Sequence, residues 1–133
     1  MLAQRLDPSP KGRRIVICDY NALLLSVTGL LRMSGYCVFQ AYNADAAREL
    51  CLTLPRISLL ILNTTGTGTD TPTLVRAIRK DHPNLQVLHI GRAALLGMPT
   101  DVPTLAESFS PGELLTAVEA LMSPPDKAST KAQ

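Results

Sequence analysis

The chain has 133 residues, 46% of them hydrophobic, which is enough for one well-packed domain and too little for two. Its 13 basic and 11 acidic residues are scattered along the sequence and leave a formal net charge of +2, too weak a field to mark a nucleic-acid-binding or membrane-surface protein. Aromatic residues make up 4% and tryptophan is absent, so stacking platforms for single-stranded nucleic acid are also poorly supplied.

Residues 1–12 hold no apolar core of signal-peptide length. Both they and residues 123–133 (SPPDKASTKAQ) have the polar, Pro- and Lys-rich composition of flexible tails, which leaves 13–122 as the folded domain. The basic run Lys11, Arg13, Arg14 reads as a solvated approach to the first strand. That strand, Arg14–Cys18, is a continuous apolar run of the kind covered by helices on both sides, and it stops at Asp19. Asn21 then caps a helix with apolar positions Leu24, Val27, Leu30 and Leu31, and Gly35 stands where a left-handed C-terminal residue is needed.

A second strand is expected over Tyr36–Ala41. Asn43 caps a helix through Ala46, Ala47, Leu50 and Leu54 that Pro55 stops. Ile57–Leu62 gives the strongest strand signal. Thr71 and Pro72 supply a cap and a first-turn proline for a third helix, with Leu74, Val75, Ala77 and Ile78 inward, Arg76, Arg79 and Lys80 outward, and His82-Pro83 at its end. Leu85–Ile90 is the fourth strand and Thr104–Glu107 a short fifth. Ser110-Pro111-Gly112-Glu113 then forms a capping box for a last helix that buries Leu114, Leu115, Val118, Leu121 and Met122. Such strand–helix alternation predicts a parallel sheet covered on both faces, a three-layer α/β/α sandwich of flavodoxin-like order 2-1-3-4-5. Its functional crevice would lie at the carboxyl ends of strands one and three, at Asp19, Tyr20 and Asn63.

Smaller signals carry little chemistry. Cys18, Cys37 and Cys51 are an odd count without ligand spacing, each in an apolar stretch where a thiol acts as a small hydrophobe, as suits a reducing cytoplasm. His82 and His89 lack ligand-spaced partners; His82 reads as a helix-end residue and His89 as a strand position facing a helix. The glycine- and threonine-rich loop TTGTGTDTPT lacks the lysine of a phosphate-binding loop and the glycine spacing of a dinucleotide turn. Asp19 and Asn63 have structural readings too, as a cap and as an anchor for the loop 64–70.

The strings IVICDYN, SGYCVFQAYNADAARELC, ISLLILN and FSPGELL together resemble the receiver domain of bacterial two-component response regulators, over roughly residues 13–122. The resemblance implies a phosphorylation site of two acids after strand one, an acceptor aspartate after strand three, a hydroxyl after strand four and a lysine after strand five. Magnesium would neutralise the incoming phosphoryl group there. Here Asp19 matches the first acid, Tyr20 replaces the second, Asn63 stands at the acceptor position, Gly91 at the hydroxyl and Glu107 at the lysine. Thr104 stands at the aromatic switch position and Ser108 at the following proline. The interval from Gly91 to Glu107 is shorter than the family's and is broken by Pro99 and Pro103, so helix four is expected to be shortened or missing.

The expectation is therefore a degenerate, cytoplasmic receiver-like module, not an enzyme. It would hold no cofactor and be poorly equipped for Mg2+, and would act on a protein partner such as a histidine kinase, a downstream regulator or a second copy of itself, with no nucleic acid and no membrane. Two other readings stay open: a receiver with an unorthodox acceptor at Asp19 or Asp70, and a small-ligand or metal sensor at Asp19, Tyr20, Asn63 and Glu107. No nucleophile, base and orienting group can be assembled for hydrolysis.

Overall fold

The structure, a computed structural model, describes residues 13–19, 25–63, 69–92 and 95–122. The two expected tails, Tyr20, the Asn21 cap, Leu24 and most of the loop after Asn63 lie outside the described residues. The elements run β1 (Arg14–Asp19), α1 (Leu25–Met33), β2 (Cys37–Ala41), α2 (Ala44–Thr53), β3 (Ile57–Asn63), α3 (Thr71–Asp81), β4 (Gln86–Gly91), β5 (Thr104–Ala106) and α4 (Pro111–Met122). The strands form one sheet of order β2-β1-β3-β4-β5 with every neighbour parallel.

The apolar runs in β1 and β3 are explained by burial on both sides of the sheet. Side chains alternate faces along a strand, so each run feeds two cores. Ile15, Ile17, Leu59, Ile61, Leu88 and Ile90 pack with Val27 and Leu31 of α1 and with Leu114, Val118 and Met122 of α4. Val16, Cys18, Leu60, Leu62 and Val87 pack with Ala47 and Cys51 of α2 and with Val75 and Ile78 of α3.

Local chemistry sets the element ends. At the end of α1 the Gly35 N–H donates to Arg32 O (3.0 Å) and the Tyr36 N–H to Leu31 O (3.1 Å), the paired bonds of a Schellman motif, with Gly35 at φ 101°. Because Tyr36 serves that cap, β2 begins one residue later than expected, at Cys37. Asn43 caps α2, accepting the Ala46 N–H at 2.7 Å. Ser110 and Glu113 close the expected box on α4: the Ser110 N–H donates to Glu113 Oε1 (2.7 Å) and the Glu113 N–H to Ser110 Oγ (3.1 Å).

Several expectations need correction. Asp70, not Thr71, is the cap of α3: its carboxylate accepts the Thr73 N–H (3.3 Å) and the Thr73 hydroxyl (2.9 Å), and Thr71 is a fully buried first helical residue. A carboxylate one position earlier reaches the orphan N–H that the Thr71 hydroxyl would have served. Cys37 is exposed, since β2 is an edge strand with one face turned outward. Arg79 does not point into solvent; it folds back, donating from Nε and Nη2 to Leu85 O and from Nη1 and Nη2 to Asp101 Oδ1 (2.9 Å) and Oδ2 (2.8 Å). β4 extends to Gly91, and β5 stops at Ala106, leaving Glu107 in the following turn.

Among the described residues no helix lies between β4 and β5. An irregular strap over residues 95–103 takes its place, turned by Met98 N–H to Leu95 O and Val102 N–H to Pro99 O bonds. Met98 and Val102 face the core beneath α2 and α3. Arg76 Nη1 donates to Gly97 O at 2.9 Å and Arg79 holds Asp101, so the strap is fastened to α3 at two points. Gly97, at φ 84° against Pro72, makes the turn that a side chain would strain.

Candidate functional site

In this strand order the chain reverses direction of winding between β1 and β3, and a crevice forms outside the carboxyl ends of those two strands. The register pairs Asp19 with Asn63, the last residues of β1 and β3. Leu62 pairs with His89 and Gly91 with Ala106, so Gly91 and the turn residue Glu107 lie at the same end of the sheet. The ends of four strands thus bring Asp19, Asn63, Gly91 and Glu107 to one edge. Asn63 is buried at 2% exposure. Tyr20 and the Asp19 side chain lie outside the described residues.

Glu107 is not alone at the end of β5. Arg92, the residue after β4, places Nε 3.5 Å from Glu107 Oε1, with Arg92 largely exposed. The pair is a surface one and contributes little to stability, but it sets a guanidinium beside the position where the sequence shows only reversed charge. Asp70 lies on the approach to α3 with its carboxylate spent on the helix cap.

The residue that sequence reasoning underrated is His89. Its ring is buried, with Nδ1 3.1 Å from Thr104 Oγ1, and burial pushes the imidazole below its ordinary pKa. On its face of the sheet its hydrogen-bond partner is Thr104, the first residue of β5. The ring also occupies the space above Gly91, where a Cβ would meet His89 Cε1 at 2.8 Å and Nε2 at 3.1 Å. One signal was present in the sequence: residues 89 and 91 are two apart on a strand and share a face. The remaining buried titratable groups lie in the core. Burial, and then the neighbouring Cys18, pushes the Cys51 thiol up to about 12. Such a thiol is chemically inert.

Among the described residues no three His, Cys, Asp or Glu side chains gather as a metal site would require, and no helix is long and apolar enough to cross a membrane.

No family model and no curated protein sequence matches the chain. Solved structures do. The receiver domain of the hybrid histidine kinase CckA is 26% identical, with a TM-score of 0.71 over 84% of this chain and all of that one. A response regulator from Thermotoga maritima aligns at 20% identity, with a TM-score of 0.70 over 85% of this chain and 99% of its own. A CheY-like receiver from Methanospirillum hungatei aligns at 18% identity, with a TM-score of 0.73 over 84% and 94%.

The chain has the fold of a response regulator receiver domain.

Against the receiver fold its departures are local. The five-stranded parallel sheet is complete, and four helices surround it among the described residues. The strap replaces a helix on the side of the sheet that ends in β5, and leaves β5 as an edge strand of three residues. Beside it lies a shallow groove lined by Leu105, Gly112, Thr116 and Ala117. The strap itself exposes Leu95 and Leu96, the latter at 96%.

Proposed function

We propose that this receiver is a two-component signalling module of the cytoplasm that takes up no phosphoryl group and works by binding another protein. The observation that carries the reading is Asn63. It ends β3 directly opposite Asp19, at the switch point of the sheet. A carboxamide there offers no nucleophilic oxygen comparable to a carboxylate and carries no charge to share with a cation.

The other positions agree with it. Magnesium, which receivers use to neutralise the phosphoryl group, takes hard, charged oxygen ligands. The donor set Asp19, Tyr20 and Asn63 supplies one carboxylate, a phenol and an amide, which does not fit that ion. Gly91 provides no hydroxyl, and Glu107 puts a carboxylate where a phosphoryl oxygen needs a cation. Asp70, the acid before α3, is engaged as that helix's cap and is a poor substitute acceptor.

A module that does no chemistry acts through its surface. The exposed Leu95 and Leu96 of the strap and the groove beside β5 are apolar features, beside the exposed Met33 and Tyr42, on which a histidine kinase, a downstream regulator or a second copy would bear. The test is intact-mass spectrometry of the purified protein after incubation with Mg2+ and acetyl phosphate. The expected spectrum is that of the unmodified chain. A stable phosphoryl adduct on Asp19 or Asp70 would overturn the reading in favour of an unorthodox acceptor.

A further inference from the structure

Gly91 poses a question that its backbone does not answer. The described glycines with positive φ are Gly35 and Gly97, so nothing in the conformation of Gly91 demands a residue without a side chain. The demand comes from His89. A Cβ at position 91 would stand 2.8 Å from His89 Cε1, closer than carbon atoms approach without displacement. The ring cannot swing aside without cost. It is 3% exposed, and its Nδ1 is hydrogen-bonded to Thr104 Oγ1 at 3.1 Å. The His89 N–H donates to Pro103 O at 3.0 Å, which fixes the strand beneath it.

Thr104 is the first residue of β5, and Pro103 the last of the strap. β5 pairs with β4 over three residues, His89 with Thr104, Ile90 with Leu105 and Gly91 with Ala106. On so short an edge strand one part-buried side-chain bond is a large share of what holds the junction.

We propose that His89 is an internal latch: its ring fills the end of β4 in place of a side chain at position 91 and, through Thr104, ties β4 to β5. The β4–β5 edge and the strap then keep one arrangement whatever binds at the crevice. This deepens the reading of the crevice as silent, and rests on it for its place in signalling, because the same residue that closes the space beside Gly91 also immobilises the surface a partner would read.

The test is amide hydrogen exchange, followed by NMR, at those residues of 104–106 whose N–H groups pair with β4. Four variants are compared with the wild type: T104V, G91A, H89V and the double variant H89V/G91A. Thr104→Val keeps the shape and removes the hydrogen bond, and is expected to speed exchange at β5 about tenfold while the amides of Leu59, Leu60 and Ile61 keep their wild-type rates. Gly91→Ala should do the same by expelling the ring. In the His89→Val background the added methyl finds open space, so G91A should give no further increase. The latch is refuted if T104V leaves β5 at wild-type rates, or if G91A accelerates it equally with and without His89. Thr104→Val is a small change that leaves His89 in place, so its arm decides the matter even if H89V folds poorly. A phosphoryl adduct in the mass experiment would end the silent reading without altering these rates, and unchanged rates would leave an unmodified mass standing, so the two failures are distinguishable.

Discussion

Burial of the His89 imidazole gives the fold a dependence on pH whose sign is fixed. Its pKa in the native state lies below the ordinary value of 6.5, because the apolar surroundings disfavour the charged ring. Between that depressed value and 6.5 the unfolded chain binds more protons than the folded one, so stability rises with pH. The contribution is fully present above about 6.5 and is lost as pH falls below it. Urea midpoints measured from pH 7.5 down to pH 5 are therefore expected to fall, and to fall less in H89Q; identical slopes would show that His89 titrates as it does in the unfolded chain. The cysteines give a second check at this scale. Cys37 is exposed, whereas Cys18 and Cys51 are fully buried and burial raises Cys51. A thiol reagent such as dithionitrobenzoate is expected to count one reactive thiol in the native protein and three in denaturant. The sequence placed Cys37 with the other two because all three sit in apolar stretches. Which strand lies at the sheet edge is a tertiary fact that local pattern does not carry. The same holds for His89: Asn63 could be named because it stands at a strand end, and Gly91 and Glu107 through the resemblance to receivers, but the partner that gives His89 its role is 15 residues away in sequence.

At the scale of elements, what was legible is what local chemistry decides. The apolar runs Arg14–Cys18 and Ile57–Leu62 became interior strands, each one residue longer than read, and the Asn43 cap, the Gly35 turn and the Ser110–Glu113 box all formed where their residue types allow. The box can be weighed directly. Ser110→Ala removes the oxygen that accepts the Glu113 N–H, and loss of such a cap costs about 1 kcal/mol. Because α4 is also held by Leu114, Val118 and Met122 against the sheet, the helix should remain formed and the midpoint of thermal unfolding should drop by a few degrees, about 4–8 °C per kcal/mol for a domain near this size. A circular-dichroism melt that loses helix before the main transition would mean that α4 depends on its cap more than on its packing. The strap was not legible. Pro99 and Pro103 announce that a helix is broken, but its fastening to α3 runs through Arg76 and Gly97, 21 residues apart, and through Arg79 and Asp101, 22 apart. No local periodicity encodes such pairs, which is why Arg79 reads from the helix pattern alone as a solvated residue.

For the whole molecule, the two cores and the strap belong to different levels of stability. Ile61 lies in the central strand, fully buried against α1 and α4, and its truncation to alanine leaves a cavity that the packed sheet cannot close; a loss of about 2–5 kcal/mol in global stability is expected. Asp101 is different. Its carboxyl is held below the usual carboxylate range chiefly by the hydrogen bonds from Arg79, yet its side chain is 59% exposed, and ion pairs so placed contribute about 0–1 kcal/mol. Asp101→Asn should therefore leave the urea midpoint close to that of the wild type. Its effect belongs to the strap, because the pair is a hydrogen-bonded link between residues 95–103 and α3, as is Arg76 to Gly97 O. Regions held by few contacts open far below the global free energy of unfolding. Limited trypsin digestion reads that opening at Arg92, the exposed basic residue between β4 and the strap. Cleavage there is expected to quicken in D101N while I61A, at matched native population, cleaves the strap at the wild-type rate. If I61A accelerated cleavage at Arg92 as much as D101N does, the strap and the core would be one cooperative unit, and the surface that displays Leu95 and Leu96 would be as firmly held as the sheet beneath it.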